Sequence, residues 1–379
     1  MGRIDEALSK AAQFLVQRQS ADGAWRSQTY GLFKDGPSLT PFVMNCLYFI
    51  ISQGGKPASA AYRKGTNYLV KMVRPDGGIK AEPYGLRFPV LTAASACRVV
   101  VLQERTPATL RAQAAWLACL RRYQLNRKLG WEPSDPEFGG WGFALEPPRK
   151  PGLGEPYPDL YQSNLVATIF GIGGLTGAHV PSSDPAYAEA LTFVERCQNF
   201  PANGAPRDPR FDDGGFFFIP RDPGLNKAGV AGTDAAGNVR FRSYGSMTAD
   251  GLRALLRCGL APDSPRVVAA RRWLEWNFSV AIHPGDFPPD RIVLRDGTYY
   301  YYVWAAAHAF LQLKCRQIET RAGKVDWAEA LANELLRRQR PDGAWINPCT
   351  DSKEDDPLVG SSWAAATLAI CRATLSEAK

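Results

Sequence analysis

Carboxylates set among apolar residues are the side chains of this sequence best placed to move a proton, because a buried acid holds its proton toward neutral pH and can pass it to a weak base held against it. Asp250 stands in the stretch SMTADGLRALLRCGL (246–260), four residues after Ser246 and on the same face if the stretch is helical; the helix dipole also favours a carboxylate near a helix start. Asp356 closes the run from Asp351 to Pro357 ahead of the last apolar stretch, where it can set an acid at the mouth of an enclosed space or simply cap the helix that follows. Asp296, just before a run of four tyrosines, and Tyr244, two residues ahead of Ser246, complete the candidates for a proton donor or its orientation. Cleavage of a glycosidic bond between paired carboxylates is a second chemistry, open to Glu132, Asp135, Glu137, Asp159 and Asp296 with Trp141 as a sugar platform, although no spacing singles out a pair. Asp212-Asp213, before Gly214-Gly215, reads as an Asx turn.

Metal and cofactor chemistry finds little support. The chain has three histidines (179, 283 and 308) and eight cysteines (46, 97, 119, 197, 258, 315, 349 and 371) that lie far apart without a CxxC. His308, Cys349 and Asp351 do not make a ligand spacing, and the expectation is no metal and no cofactor. Gly171-Ile-Gly-Gly174 follows a helical stretch rather than a strand and reads as a helix terminus, not a dinucleotide fingerprint.

The elements that must position these residues are helices arranged as a repeat. FLVQRQSADGAW (14–25), YLVKMVRPDGGI (68–79) and LLRRQRPDGAW (335–345) each end an apolar, helix-periodic stretch in a polar turn with Asp-Gly and an aromatic or aliphatic residue. Amphipathic helices are predicted at 4–19, 59–73, 108–124, 185–198, 265–278 and 325–339, and more apolar partners at 39–53, 89–104, 160–173, 246–258, 299–314 and 358–373. The partners are rich in Ala, Gly, Ser and Cys, which suits helices enclosed by others. Hairpins of this kind stack as an open solenoid or close into a double-layered ring, and the apolar last helix favours closure, since it makes a poor exposed cap. A single domain over 1–379 follows, interrupted by inserts at about 125–159, 199–245 and 280–298 that are rich in Pro, Gly and aromatics and long enough to roof one end.

Composition narrows the compartment and partners. The net charge is +8 over 379 residues, and its Arg pairs fall near helix ends, which gives no nucleic-acid footprint. No run of 18 apolar residues is apparent, and the opening MGRIDEALSK carries charges unlike a signal peptide, so a cytoplasmic protein with reduced thiols is expected.

The repeat resembles the QW motif of squalene-hopene and oxidosqualene cyclases, related to turns in protein prenyltransferase β subunits. Phe14, Leu15, Gln19, Gly23 and Trp25 carry it at one end, and Leu335, Leu336, Gln339, Gly343 and Trp345 at the other. GGWGF (139–143) and the stretch from GDFPP to TYYYYVW (285–304) are also similar. The resemblance implies an all-α (α/α)6 toroid, single where those cyclases have two, with the second helix of each pair lining a central cavity. It also implies protonation of an alkene or epoxide by a DxDD acid before an inner helix. Here that position reads Tyr244-Gly245-Ser246-Met247, followed by Thr248-Ala249, so the signature acid is absent and a different donor is required. The zinc of the prenyltransferases would need an Asp-x-Cys that Cys349-Thr350-Asp351 reverses.

Two functions follow as expectations. The first is a terpene-cyclase-like protein acting on or binding an apolar, isoprenoid or triterpenoid-type ligand in an aromatic cavity formed by Trp141, Phe216, Ser246, Tyr300, Trp304 and Trp363, with its mouth open to peripheral membrane contact. The alternative is a noncatalytic toroid that binds a lipid or a protein partner.

Overall fold

The computed structural model describes residues 1–52, 58–80, 85–158, 160–201 and 206–377. Helices of the outer layer are α1 (Gly2–Gln17), α3 (Ala58–Lys71), α5 (Pro107–Arg121), α7 (Pro185–Arg196), α9 (Pro265–Trp276) and α12 (Trp327–Arg338). They alternate with inner helices α2 (Thr40–Ser52), α4 (Pro89–Val99), α6 (Leu165–Gly177), α8 (Gly245–Arg257), α11 (Tyr299–Gln312) and α13 (Pro357–Ser376), while α10 (Ile292–Asp296) is a short helix in the third insert. Each inner helix packs on the next, and α13 packs on both α11 and α2, so the ring is closed. The protein is an all-α (α/α)6 toroid.

The repeat acts as a clamp between neighbouring hairpins. Gln19 Nε2 donates to the carbonyl of Gly23 in its own turn and to that of Ala61 in α3, both at 2.8 Å. Gln124 joins Gly139 to Ala186 in α7, and Gln198 joins Gly214 to Arg266 in α9. Gln339 joins Gly343 to Ala7 in α1 at 3.1 and 2.9 Å, which ties the last outer helix to the first. The tryptophan of the turn folds back onto its own helix: Trp25 Nε1 donates to Leu15 O at 2.7 Å and Trp345 Nε1 to Leu335 O at 2.8 Å. The turn glycine is required twice over at Gly343, where φ is +88° and a Cβ would stand 2.6 Å from Lys10 O. The turn at 68–79 lacks this clamp, because Val73 takes the place of the glutamine.

Four expectations are corrected. Gly171 and Gly174 lie inside α6 rather than at its end, because they let Trp141 and Ala94 approach the helix backbone. Two antiparallel hairpins, β1 (Val230–Thr233) with β2 (Val239–Phe241) and β3 (Gln317–Thr320) with β4 (Gly323–Asp326), lie in segments read as loops, except for Val325 and Asp326, which fall in the stretch predicted helical from 325. Helix α13 does meet the length and composition of a membrane span, yet it is a mostly buried stave of the ring. Helix α6 starts at Leu165 rather than 160 because the Asn164 side chain accepts the Ala167 N–H and caps it.

Candidate active site

The N-terminal halves of the inner helices surround a cavity of about 470 Å³, lined by Phe42, Leu91, Phe170, Met247, Val359, Trp363 and other largely apolar side chains. Phe143 from the first insert, Leu160 just after it, and Phe218, Ile219 and Leu225 from the second cover it. Polar groups are few, and Lys227 with Asp351 forms an ion pair at the rim. Such a space suits an apolar small molecule oriented by a few polar contacts.

Its floor is aromatic. The Trp304 and Trp363 rings lie 4.4 Å apart, and Phe170 stacks on Trp304 at 6.1 Å. Tyr301, one turn before, stacks on Trp304 at 5.9 Å and lines the cavity, while its hydroxyl donates to Asp250 Oδ2. Asp250 lies under this floor, fully buried in α8, and accepts from Arg253 Nη1 at 2.9 Å. Burial pushes the Asp250 carboxyl up to about 6, against the opposing pull of Arg253 and of the Tyr301 hydroxyl. The Arg253 guanidinium in turn lies 4.6 Å from the Trp304 ring. The result is an acid whose conjugate base has a fixed cationic partner on one side and a phenol leading to the cavity on the other.

The start of α11 is held by a second buried carboxylate. Glu354 accepts the N–H groups of Tyr300 at 2.9 Å and Tyr301 at 2.7 Å, and the Asn347 amide at 2.8 Å. Burial pushes it up to about 7, opposed by those donors. The start of α8 is held by His283, whose Nε2 accepts the Ser246 N–H at 2.9 Å. Burial lowers His283 to about 3, so the imidazole is neutral and able to accept.

Of the residues singled out in the sequence, Tyr244, Ser246 and Trp363 line the cavity, and the Tyr244 and Ser246 hydroxyls have no hydrogen-bond partner. Asp250 and Trp304 lie immediately beneath it. The others lie elsewhere. Asp356 caps α13 by accepting the Leu358 N–H at 2.8 Å and also accepts the Ser27 hydroxyl, so its role is the capping one. Asp296 pairs with Arg295 at 2.7 Å, away from the cavity. Trp141 and Phe216 are turn residues of the repeat: Trp141 Nε1 donates to Leu120 O at 3.1 Å, and the Phe216 ring lies on Gly251. Tyr300 faces away beside Tyr299 because the helical phase turns Tyr301, and not Tyr300, toward the axis. Among the glycosidase candidates Glu132 and Asp135 sit at the surface in ion pairs with Arg127 and Lys150, Glu137 is buried and pairs with Arg221, and Asp159 lies outside the described residues. Sequence reasoning missed Tyr301, Glu354 and Arg253. The first two carried a signal, a tyrosine run and an acid inside a charged loop, but neither reveals which member turns inward.

The sequence matches no known family profile and no curated protein. Solved structures do match, and they define the fold. Type II terpene cyclase MstE from Scytonema, in complex with geranylgeranyl dihydroxybenzoate as substrate, aligns over 99% of this chain and 98% of its own with 12% identity and a TM-score of 0.55. A protein from Actinoplanes aligns over 98% and 99% with 16% identity and a TM-score of 0.56. The glycoside hydrolase family 76 mannosidase Bt3792 from Bacteroides thetaiotaomicron VPI-5482 aligns over 99% of both chains with 12% identity and a TM-score of 0.53. The chain is thus similar along its whole length to single-toroid proteins of two chemistries, terpene cyclisation and glycoside hydrolysis.

Proposed function

We propose that this chain is a terpene-cyclase-like enzyme that protonates a long apolar, isoprenoid-type ligand held in the central cavity, with Asp250 as the acid and Tyr301 as the hydroxyl through which the proton reaches the ligand. The observation that carries this reading is the Asp250–Tyr301 hydrogen bond across the floor of an aromatic cavity. In the protonated state the Asp250 carboxyl turns its proton onto the Tyr301 oxygen while the phenol hydrogen points into the cavity. Transfer to an alkene carbon moves both protons one step and leaves the Asp250 carboxylate on Arg253 and a cation on the ligand. Trp363, Phe170 and Tyr244 then face that cation with their ring faces or edges. Loss of a proton from the ligand, accepted back along the same path, restores the acid.

The glycosidase reading would need a carboxylate pair flanking a bond, but among the described residues Asp351 is the one carboxylate that lines the cavity, and it is paired with Lys227. Incubation of the protein with C15 to C30 polyenes in deuterated water, followed by mass spectrometry of the recovered lipids, tests the proposal. Deuterium at carbon that disappears in Asp250→Asn supports it. Tight binding of a polyene without deuterium or cyclisation in the wild type would make the ring a lipid-binding module instead.

A further inference from the structure

Inner helices α2, α4, α6, α8 and α11 line a second cavity, of about 230 Å³, on the far side of the Phe170, Trp304 and Trp363 floor. Three guanidiniums converge on it, from Arg98 of α4 and from Arg253 and Arg257 of α8, and the one carboxylate that acts on them, on Arg253 and Arg257, is Asp250. Arg98 reaches Asn45 Oδ1, and Arg253 uses Nη1 on Asp250. Arg257 has no hydrogen bond or ion pair among the described residues. Arg253, 3% exposed, leaves its Nε without a partner, and so do Trp304 Nε1 and His308 Nε2 on the same wall.

Glycines of α6 make the room: a Cβ on Gly173 would stand 3.1 Å from Arg257 Nη1, and one on Gly177 would stand 2.9 Å from the Arg98 stem. Burial, followed by the repulsion of Arg253 and Arg98, lowers Arg257 to about 9. A guanidinium stays charged in proteins, so that depression reads as positive charge without its counter-charge. One carboxylate against three cations leaves about two charges to neutralise, and guanidinium forks match tetrahedral oxyanions.

From this geometry we infer that the second cavity is a binding site for a dianionic phosphate group, held by Arg98, Arg253 and Arg257. The titratable groups that act on the three guanidiniums are Asp250 from α8, neutral His308 and the Tyr301 phenol from α11, Tyr187 from α7, the Cys97 thiol from α4 and the Tyr48 and Tyr62 phenols from α2 and α3. None of the others supplies a second negative charge. The site is independent of whether the upper cavity catalyses a reaction, and its occupation would pull Arg253 away from Asp250.

The test is calorimetric titration of the full-length protein with inorganic phosphate and with diphosphate at constant ionic strength in chloride. Saturable binding is expected, weakened about tenfold or more in Arg257→Gln, the guanidinium with no other partner. Crystals grown with tungstate provide a readout that needs no variant: anomalous density between Arg98, Arg253 and Arg257 supports the site, and density confined to surface cations overturns it. Absence of binding beyond the chloride background, or equal binding by folded Arg257→Gln, overturns it as well. A phosphate monoester with a long alkyl chain separates the two sources of such a group. If it binds tenfold tighter than phosphate the head belongs to a lipid that threads the aromatic floor, and if it binds equally the ligand is a free phosphate; both outcomes retain the site.

Discussion

Asp250→Asn should change the pH dependence of stability in a direction the structure fixes. The folded-state carboxyl titrates near 6 against 3.8 when exposed. The native state therefore holds this proton more tightly than the unfolded chain, and its contribution is most favourable below pH 3.8 and is lost as the pH rises through 6. The full loss is about 3 kcal/mol, of which about 1.4 kcal/mol falls between pH 5 and pH 8. Asparagine cannot ionise, so the variant escapes that loss, whatever constant cost it incurs by leaving Arg253 without its charge. The difference in unfolding free energy between variant and wild type should thus move by about 1.4 kcal/mol in favour of the variant from pH 5 to pH 8. A chain of this length shifts its melting temperature by only about 1 °C per kcal/mol, so urea unfolding at a series of pH values is the better assay. A difference that stays flat with pH, or moves the other way, would show that Asp250 ionises as an ordinary carboxylate and would remove the basis for calling it a poised acid.

The other perturbations separate chemistry from architecture. Tyr301→Phe keeps the ring on Trp304 but removes the hydroxyl, so deuterium incorporation should fall about 100-fold or more while polyene binding, followed by tryptophan fluorescence, is retained; equal loss of both would demote Tyr301 to a packing residue. Gln339→Leu deletes the two hydrogen bonds that close the outer ring and should cost about 2 kcal/mol in urea unfolding. Gly139→Ala adds a Cβ that overlaps the Glu189 carbonyl at a φ of +90° and should cost about 4 kcal/mol or abolish folding, whereas Gly77→Ala, with φ +82° and open space around it, should cost about 1 kcal/mol. Soluble expression and circular dichroism of the pair check both.

The ring was legible in the sequence because its signals are local. A glutamine and a tryptophan at fixed distances from a turn glycine report a motif whose hydrogen bonds lie largely within one hairpin, as at Gln19, Gly23 and Trp25. Inner and outer helices separate by polarity for the same reason. The hairpins β1–β2 and β3–β4 were hidden because they are two short ribbons stabilised by loop packing rather than by an alternating core pattern. The site was less legible because it depends on phase. Four consecutive tyrosines occupy all sides of a helix, and only the orientation of α11 decides that Tyr301 rather than Tyr300 meets the axis. Glu354 sits in a run of charges that reads as solvated surface, yet it is fully buried because the loop folds under the start of α11.

In the proposed reaction, the position of Asp250 along α8 would let one residue serve as the acid without the DxDD motif. Helix-end charges act within about one turn, and Asp250 lies near the middle of Gly245–Arg257, beyond the reach of either end. Neither dipole pole then sets its acidity, and apart from the Tyr301 hydroxyl the charge balance rests on Arg253, three residues on and facing the lower cavity, with Arg257 adding to its pull. A phosphate dianion bound there competes for the same guanidinium and adds negative charge beneath the acid, so it should favour the protonated form of Asp250. A phosphate bound in the lower cavity would then set the proton supply of the upper one. Saturating phosphate should therefore move the pH limit of deuterium incorporation upward in the wild type and leave it in place in Arg257→Gln; an unchanged limit in the wild type would show that the two cavities act separately.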